Sequence, residues 1–132
     1  MTVIDVNQNY INNASWPVRI NKNTTVNFTE NVTLDDYDDE NNGLDVYFII
    51  DGDNVTIDGE GKTVTINQIE DYPGLFRNGS RGKPGFKNIS IQNIIIHSDN
   101  VASLGNRAGW LCHSYYGQGV SEGKLTISNC SS

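Results

Sequence analysis

The chain has 132 residues, 36% of them apolar, with 9 Lys and Arg against 16 Asp and Glu and a formal net charge of −7. That length allows one domain with a core, and a low apolar share with abundant Asn suits a narrow-cored chain with many corners. The acidic balance argues against a nucleic-acid partner, which needs clustered Lys and Arg. No run approaches the roughly 20 apolar residues of a membrane helix.

Residues 1–15 hold one short alternating piece, Val3, Ile4 and Val6, followed by polar residues. They lack the basic head and apolar stretch of a signal peptide, and the opening Met reads as a natural start. We expect this segment to lie across the first coil as an N-terminal cap, because an open stack of strands exposes unpaired backbone. Strands are then expected at 16–20, 26–28 and 32–34, with bends at Asn23 and at Glu30 and Asn31. The acidic stretch 35–43 follows as a loop. The most informative segment, 48–66, reads FIIDGDNVTIDGEGKTVTI, with three apolar runs at 48–50, 55–57 and 64–66 broken by Asp-Gly and Gly-Lys turns. The separators are too short for a crossover helix, and the spacing is not that of two-residue hairpins. A chain that bends at Gly or Asn after each short strand instead winds into a coil, each strand stacking on its counterpart one turn away. Gly and Asn suit such bends because both tolerate left-handed backbone.

A third coil takes 75–76, a Gly- and Pro-rich basic loop at 77–85, then 89–91 and 94–96. A fourth takes 110–112 and 125–127 and ends without its third strand. Matching strands recur from Ile57 to Ile91 to Ile127, and from Phe48 to Phe76 to about Leu111, so the later period lies in the mid-thirties. Such repeats mark units that cannot bury their faces alone. A coil ending in mid-turn leaves unpaired backbone, which further coils of a longer polypeptide or another subunit would cover.

Two stretches carry a family resemblance. The phrase IDGDNVTIDGEGKTV, from Ile50 to Val64, resembles the opening coils of right-handed parallel β-helix proteins of the pectin-lyase-like superfamily, where an Ile-Asp-Gly corner precedes a strand. The last quarter, with Ala108-Gly109-Trp110-Leu111-Cys112, then Gly117-Gln118-Gly119, then Ile127-Ser128-Asn129-Cys130, resembles one unit of Gly-rich β-helix repeat proteins, including large ones of giant DNA viruses. The resemblance implies an all-β right-handed parallel β-helix of about four coils, a single domain over 1–132 as the N-terminal part of a longer repeat protein. It also implies a long rod-like surface or virion protein, and no catalytic activity.

Candidate chemistry is thin. In the β-helix enzymes, catalytic or calcium-binding acids project from successive coils. Asp51, Asp53, Asp58 and Glu60 flank one strand of one coil instead, and read as turn-forming side chains. The acids of 35–40 lack the alternating ligands and central Gly of an EF-hand and read as a solvated charge run. Arg77, Arg81, Lys83 and Lys87 form the one basic cluster, either an anion or acidic-sugar contact or a solvated loop. His97 and His113 read as polar residues at strand ends, with neither CxxC nor HxxxH to suggest metal. Cys112 and Cys130, about one turn apart, read as two small buried hydrophobes or as a disulfide. Trp110 is expected in the core, with Tyr115 and Tyr116 at the fourth corner as a possible stacking surface for sugar rings. The Asn-x-Ser/Thr sites at Asn13, Asn23, Asn27, Asn31, Asn54, Asn78, Asn88 and Asn129 are read as by-products of Asn-rich corners.

The expectation for function is a structural, non-enzymatic β-helix rod that needs no cofactor and associates through its C-terminal end. The alternative is a carbohydrate-binding or polysaccharide-degrading β-helix module whose active site lies elsewhere, with glycan contact at Tyr115, Tyr116, Arg77, Arg81 and Lys83. The sequence assigns no cellular location.

Overall fold

The computed structural model describes residues 2–35, 46–67, 72, 74–79, 82–98, 101, 110–112, 116–117, 120, 123 and 125–131. The acidic loop apart from Asp35, together with Arg81, His113 and Tyr115, lies outside them. The described chain is all-β with parallel sheets and one short helix.

Among the described residues eleven strands form three parallel sheets. The first sheet has order β1 (Thr2–Val6), β3 (Thr24–Phe28), β6 (Val55–Asp58), β9 (Ile89–Gln92), β11 (Leu125–Ser128). The second has order β10 (Ile95–Ser98), β7 (Thr63–Asn67), β4 (Val32–Asp35), and the third β2 (Val18–Asn21), β5 (Phe48–Asp51), β8 (Phe76–Arg77). From β2 onward the chain visits the third, first and second sheets in that order three times.

The register carries the sequence repeat into space. Val26 pairs with Ile57, Ile57 with Ile91 and Ile91 with Ile127; Phe48 pairs with Phe76. The expected partner of Phe76 was near Leu111; it is Cys112, through an isolated parallel bridge. The last circuit continues further than expected and reaches the second sheet, where Ser131 bridges Ile95. Short strands of alternating pattern send every second side chain inward, so Val26 and Phe28, Val55 and Ile57, Val64 and Ile66, and Ile89 and Ile91 fill one core.

Two aromatic files run through this stack. Phe28, Phe48 and Phe76 form one, with centroids 6.2 and 5.5 Å apart. Trp16, Tyr47, Tyr72 and Trp110 form the other at 5.2, 6.2 and 5.5 Å. Tyr47 and Tyr72 are fully buried, and their hydroxyls donate to the Asp35 carbonyl at 3.1 Å and the Trp110 carbonyl at 2.6 Å. Burial of Tyr72, followed by its neighbours Tyr47 and Cys112, raises its pKa, which keeps the phenol a donor.

Corners follow the same repeat. Asn23, Asn54 and Asn88 each take left-handed backbone (φ 56, 63 and 59°) just before β3, β6 and β9. Asn54 Nδ2 donates to Asn23 Oδ1 and Asn88 Nδ2 to Asn54 Oδ1, both at 3.0 Å, linking residues 31 and 34 apart in sequence. Asn is among the few non-glycine residues that visit this backbone readily, and its amide offers the next Asn a donor and an acceptor.

The first residues hold more than an expected covering segment. Strand β1 joins the first sheet as its edge, and helix α1 (Gln8–Asn13) packs on β4 and β1. Asn7 caps the helix, its side chain accepting from the Tyr10 amide at 2.8 Å. Gln8 then acts as a substitute strand for β4: its Nε2 donates to the Thr33 carbonyl at 3.1 Å and its Oε1 accepts from the Thr33 amide at 2.7 Å. That side chain satisfies the Thr33 backbone pair on an edge strand, where unpaired groups invite pairing with another chain.

Candidate functional site

The basic loop and the outer face of the third sheet together make a cleft. On that sheet Arg19 pairs with Ile49 and Ile49 with Arg77, so the three share one outward row. The loop after β8 stands over the row, and Arg19, Ile49, Ile50, Asp51, Arg77, Gly79, Lys83, Pro84 and Phe86 enclose a cavity of about 340 Å³. Ile49 is only 7% exposed although it points away from the core.

One buried residue holds the loop in place. Asn78 is fully buried; its Oδ1 accepts from the Phe86 amide at 2.6 Å and its Nδ2 donates to the Phe86 carbonyl at 3.0 Å. Its own carbonyl accepts from the Gly117 amide at 2.6 Å. The loop is thus tied at its base by a side chain that offers both a donor and an acceptor, while Gly82, Lys83 and Pro84 are exposed. This burial also removes Asn78 from the accessible Asn-x-Ser/Thr sites.

The cleft brings together Arg77 and Lys83 of the expected glycan-contact residues, and adds Arg19, which the sequence reading missed. Arg19 comes from β2, two strands away, and only the register reveals it. Its guanidinium lies 3.5 Å from the Asp51 carboxylate, with both groups largely exposed, so the pair contributes little to stability. Tyr116 is placed elsewhere: it is half-buried, packs on the core, and has a buried hydroxyl with no hydrogen-bond partner among the described residues. Burial, and then Cys112, raises its pKa.

The other carboxylates serve the corners. Asp53 Oδ1 accepts from the Lys87 amide at 3.0 Å. Asp58 accepts from the Glu60 amide at 2.8 Å, from Asn93 Nδ2 at 3.1 Å and from Gln92 Nε2 at 3.3 Å. These bonds, the Glu60 amide foremost, hold its carboxyl below the ordinary aspartate range against the opposing effect of desolvation. A depressed folded-state pKa adds stability above the unfolded value, and that stability is lost as pH falls through the folded one. We therefore expect Asp58→Asn to flatten the acid limb of the stability-pH curve in urea melts. An unchanged slope below the ordinary aspartate range would refute this role.

His97 is exposed on β10. Cys112 and Cys130 are free and half-buried. They lie in the same circuit rather than one turn apart, Cys112 beside β8 and Cys130 just after β11. Burial, with Cys130 second, pushes the Cys112 thiol up to about 12; it therefore stays protonated and unreactive. Among the described residues no three His, Cys, Asp or Glu side chains converge as a metal site requires, and no helix is long and apolar enough to cross a membrane.

The two edges of the stack differ. At the first, α1 packs over fully buried Val6 and nearly buries its own Ile11, although β1 leaves Val3 59% exposed. At the second, β11 exposes Leu125 and Ile127, the latter 48%. Ile96, Trp110, Leu111, Ile127, Cys130 and Ser131 surround an apolar crevice of about 290 Å³ beside it.

No family model, curated protein or solved structure matches this chain.

Proposed function

We propose that the chain is a right-handed parallel β-helix of about four coils and that its role is structural and non-enzymatic. It would serve as a stiff module of a rod-like repeat protein at a surface or in a virion. In favour of the coil are the fixed order in which the chain visits three parallel sheets and the in-register pairing of each circuit on the last. The hand follows from the strong right-handed preference of parallel crossovers. A stack of this kind gains stability from each neighbouring interface and propagates along one axis.

The observation that carries the structural role is the asymmetry of the two edges. Gln8 and α1 cover β4 at one, where β1 still exposes Val3, while β11 presents the apolar side chains of Leu125 and Ile127 at the other with no further strand beside it among the described residues. The open edge is a docking surface for the next coil, supplied by the same kind of chain. Light scattering over a concentration series tests this. The chain is expected to associate, and Leu125→Asp with Ile127→Asp is expected to return it to a monomer of unchanged circular dichroism. A parent chain that stays monomeric throughout would sink the assembly reading.

The alternative is a carbohydrate-binding or polysaccharide-degrading module. It is favoured by the meeting of Arg77 and Lys83 on one cleft with Phe86, where an aromatic face and cations would serve an acidic sugar.

A further inference from the structure

We propose that the cleft outside β2, β5 and β8 binds a small organic anion, a carboxylate or phosphate carried on a flat apolar body. This goes beyond the structural role and is independent of whether the coils associate.

Charge distribution is the first support. The whole chain has 9 cationic and 16 anionic side chains, yet among the described residues three cations, Arg19, Arg77 and Lys83, line this cavity with one acid, Asp51. An acidic surface repels anions in general, so a local cationic excess in a concave place focuses them there. Guanidinium forks suit carboxylate and phosphate oxygens in particular.

The wall between the cations supplies the second. Arg19 and Arg77 flank Ile49 on the two adjacent strands, so their Cα atoms stand about 10 Å apart, two strand spacings. Side chains of that length can converge on one anion above Ile49. Pro84 and Phe86 add apolar groups to the lining. Inorganic phosphate would make no apolar contact with Pro84 and Phe86, and a neutral apolar molecule would bring no opposite charge to Arg19 and Lys83. An anionic group on a ring satisfies both, and a cavity of about 340 Å³ lies at the small end of ligand sites.

Preorganisation is the third. Asn78 fixes the two ends of the loop through Phe86, and a Cβ at Gly85 would stand 2.7 Å from the Asn78 carbonyl oxygen. A ligand therefore meets a loop whose ordering has already occurred on folding, which lowers the entropic cost of binding. Asp51 works against the anion by engaging Arg19 at 3.5 Å, which gives the proposal a sign-specific test.

Titrations of the full chain at low salt, followed by NMR shifts and calorimetry, would compare phenyl phosphate, benzoate, inorganic phosphate and glucuronate. Phenyl phosphate and benzoate are expected to saturate with Kd on the order of 1 mM or tighter, and inorganic phosphate to bind more weakly than either. Arg77→Ala and Lys83→Ala should each weaken binding about tenfold, the scale of one charge-assisted contact. Asp51→Asn should tighten it by releasing Arg19. Lys62→Ala, outside the cleft, should leave it unchanged. Lys83 and Asp51 are exposed, so their variants remain informative if Arg77→Ala fails to fold. Three results would overturn the proposal: no saturable binding by the aromatic acids, equal loss in Lys62→Ala, or glucuronate binding more tightly than both. The last would assign the cleft to sugar recognition.

Discussion

Gly59→Ala and Gly52→Ala are expected to destabilise the chain by about 3 kcal/mol each, at the upper end of overpacking costs. Neither glycine has the left-handed backbone that usually explains a corner glycine; each is needed for close approach. A Cβ at Gly59 would stand 2.8 Å from Ile94 Cα and press on the Asn93 carbonyl oxygen. One at Gly52 would stand 2.5 Å from Lys22 Cα. These obstacles are backbone of the neighbouring circuit, held by hydrogen bonds beside each glycine: the Gly59 amide donates to the Gln92 carbonyl at 2.8 Å and the Asn23 amide to the Asp53 carbonyl at 2.9 Å. Strands in a ladder sit about 4.8 Å apart, and a corner cannot open without lengthening those bonds. Gly61 is the comparison. Its φ is +74° but nothing lies within 4 Å of a Cβ there, so Gly61→Ala should cost only about 1 kcal/mol of backbone strain. Urea midpoints for the three variants decide the matter: a larger loss for Gly61→Ala than for Gly59→Ala would refute the close-approach account.

Asn78→Ala is expected to cost about 3 kcal/mol or more, because it strands two buried groups at once, each worth roughly 1–3 kcal/mol when unsatisfied. The Phe86 amide would lose its acceptor and the Phe86 carbonyl its donor. Asn78→Asp separates the two bonds. It keeps an acceptor for the amide but sets a carboxylate against the Phe86 carbonyl in a fully buried position. A buried carboxylate without a donor has a raised pKa, so this variant should be closest to the parent at low pH and lose stability as pH rises above the ordinary aspartate range. Denaturant melts across pH check the ordering. A pH-independent Asn78→Asp, or an Asn78→Ala within experimental error of the parent, would show that the loop does not depend on this clamp. Loss of the clamp should also weaken anion binding in the cleft without removing any of its charges.

Much of the fold was legible residue by residue. The alternation at 55–57 and 89–91 gave strands at β6 and β9 because half-buried strands force a period of two, and Asn54 and Asn88 marked the corners that precede them. Helix α1 was not legible. QNYINN buries only Ile11 and has no amphipathic stripe; the turn owes its place to the Asn7 cap and to Gln8 meeting Thr33. Cys112 took the place expected near Leu111 because the second sequence match was approximate, and a one-residue slip exchanges the two faces of a strand. Tyr47 and Tyr72 gave no signal, since their spacing lies outside the repeat that Phe48 and Phe76 obey.

For the cleft, the sequence offered Arg77 and Lys83 on a loop of basic composition and nothing more. Arg19 belongs to it only because β2, β5 and β8 lie side by side, which brings together residues from three circuits of chain. Asn78 stood in the sequence only as one of eight Asn-x-Ser/Thr sites; its burial and its bonds to Phe86 appear only in the folded loop. What the sequence determined by itself was local: which residues alternate into a core, which can turn a corner, and how often the pattern returns. The tertiary structure alone decided which residues meet between circuits, because those contacts depend on register and on a strand spacing that no single segment encodes. Gly52 and Gly59 carry that division within one residue each, their corner placement legible in the sequence and their need to lack a Cβ set by the neighbouring turn.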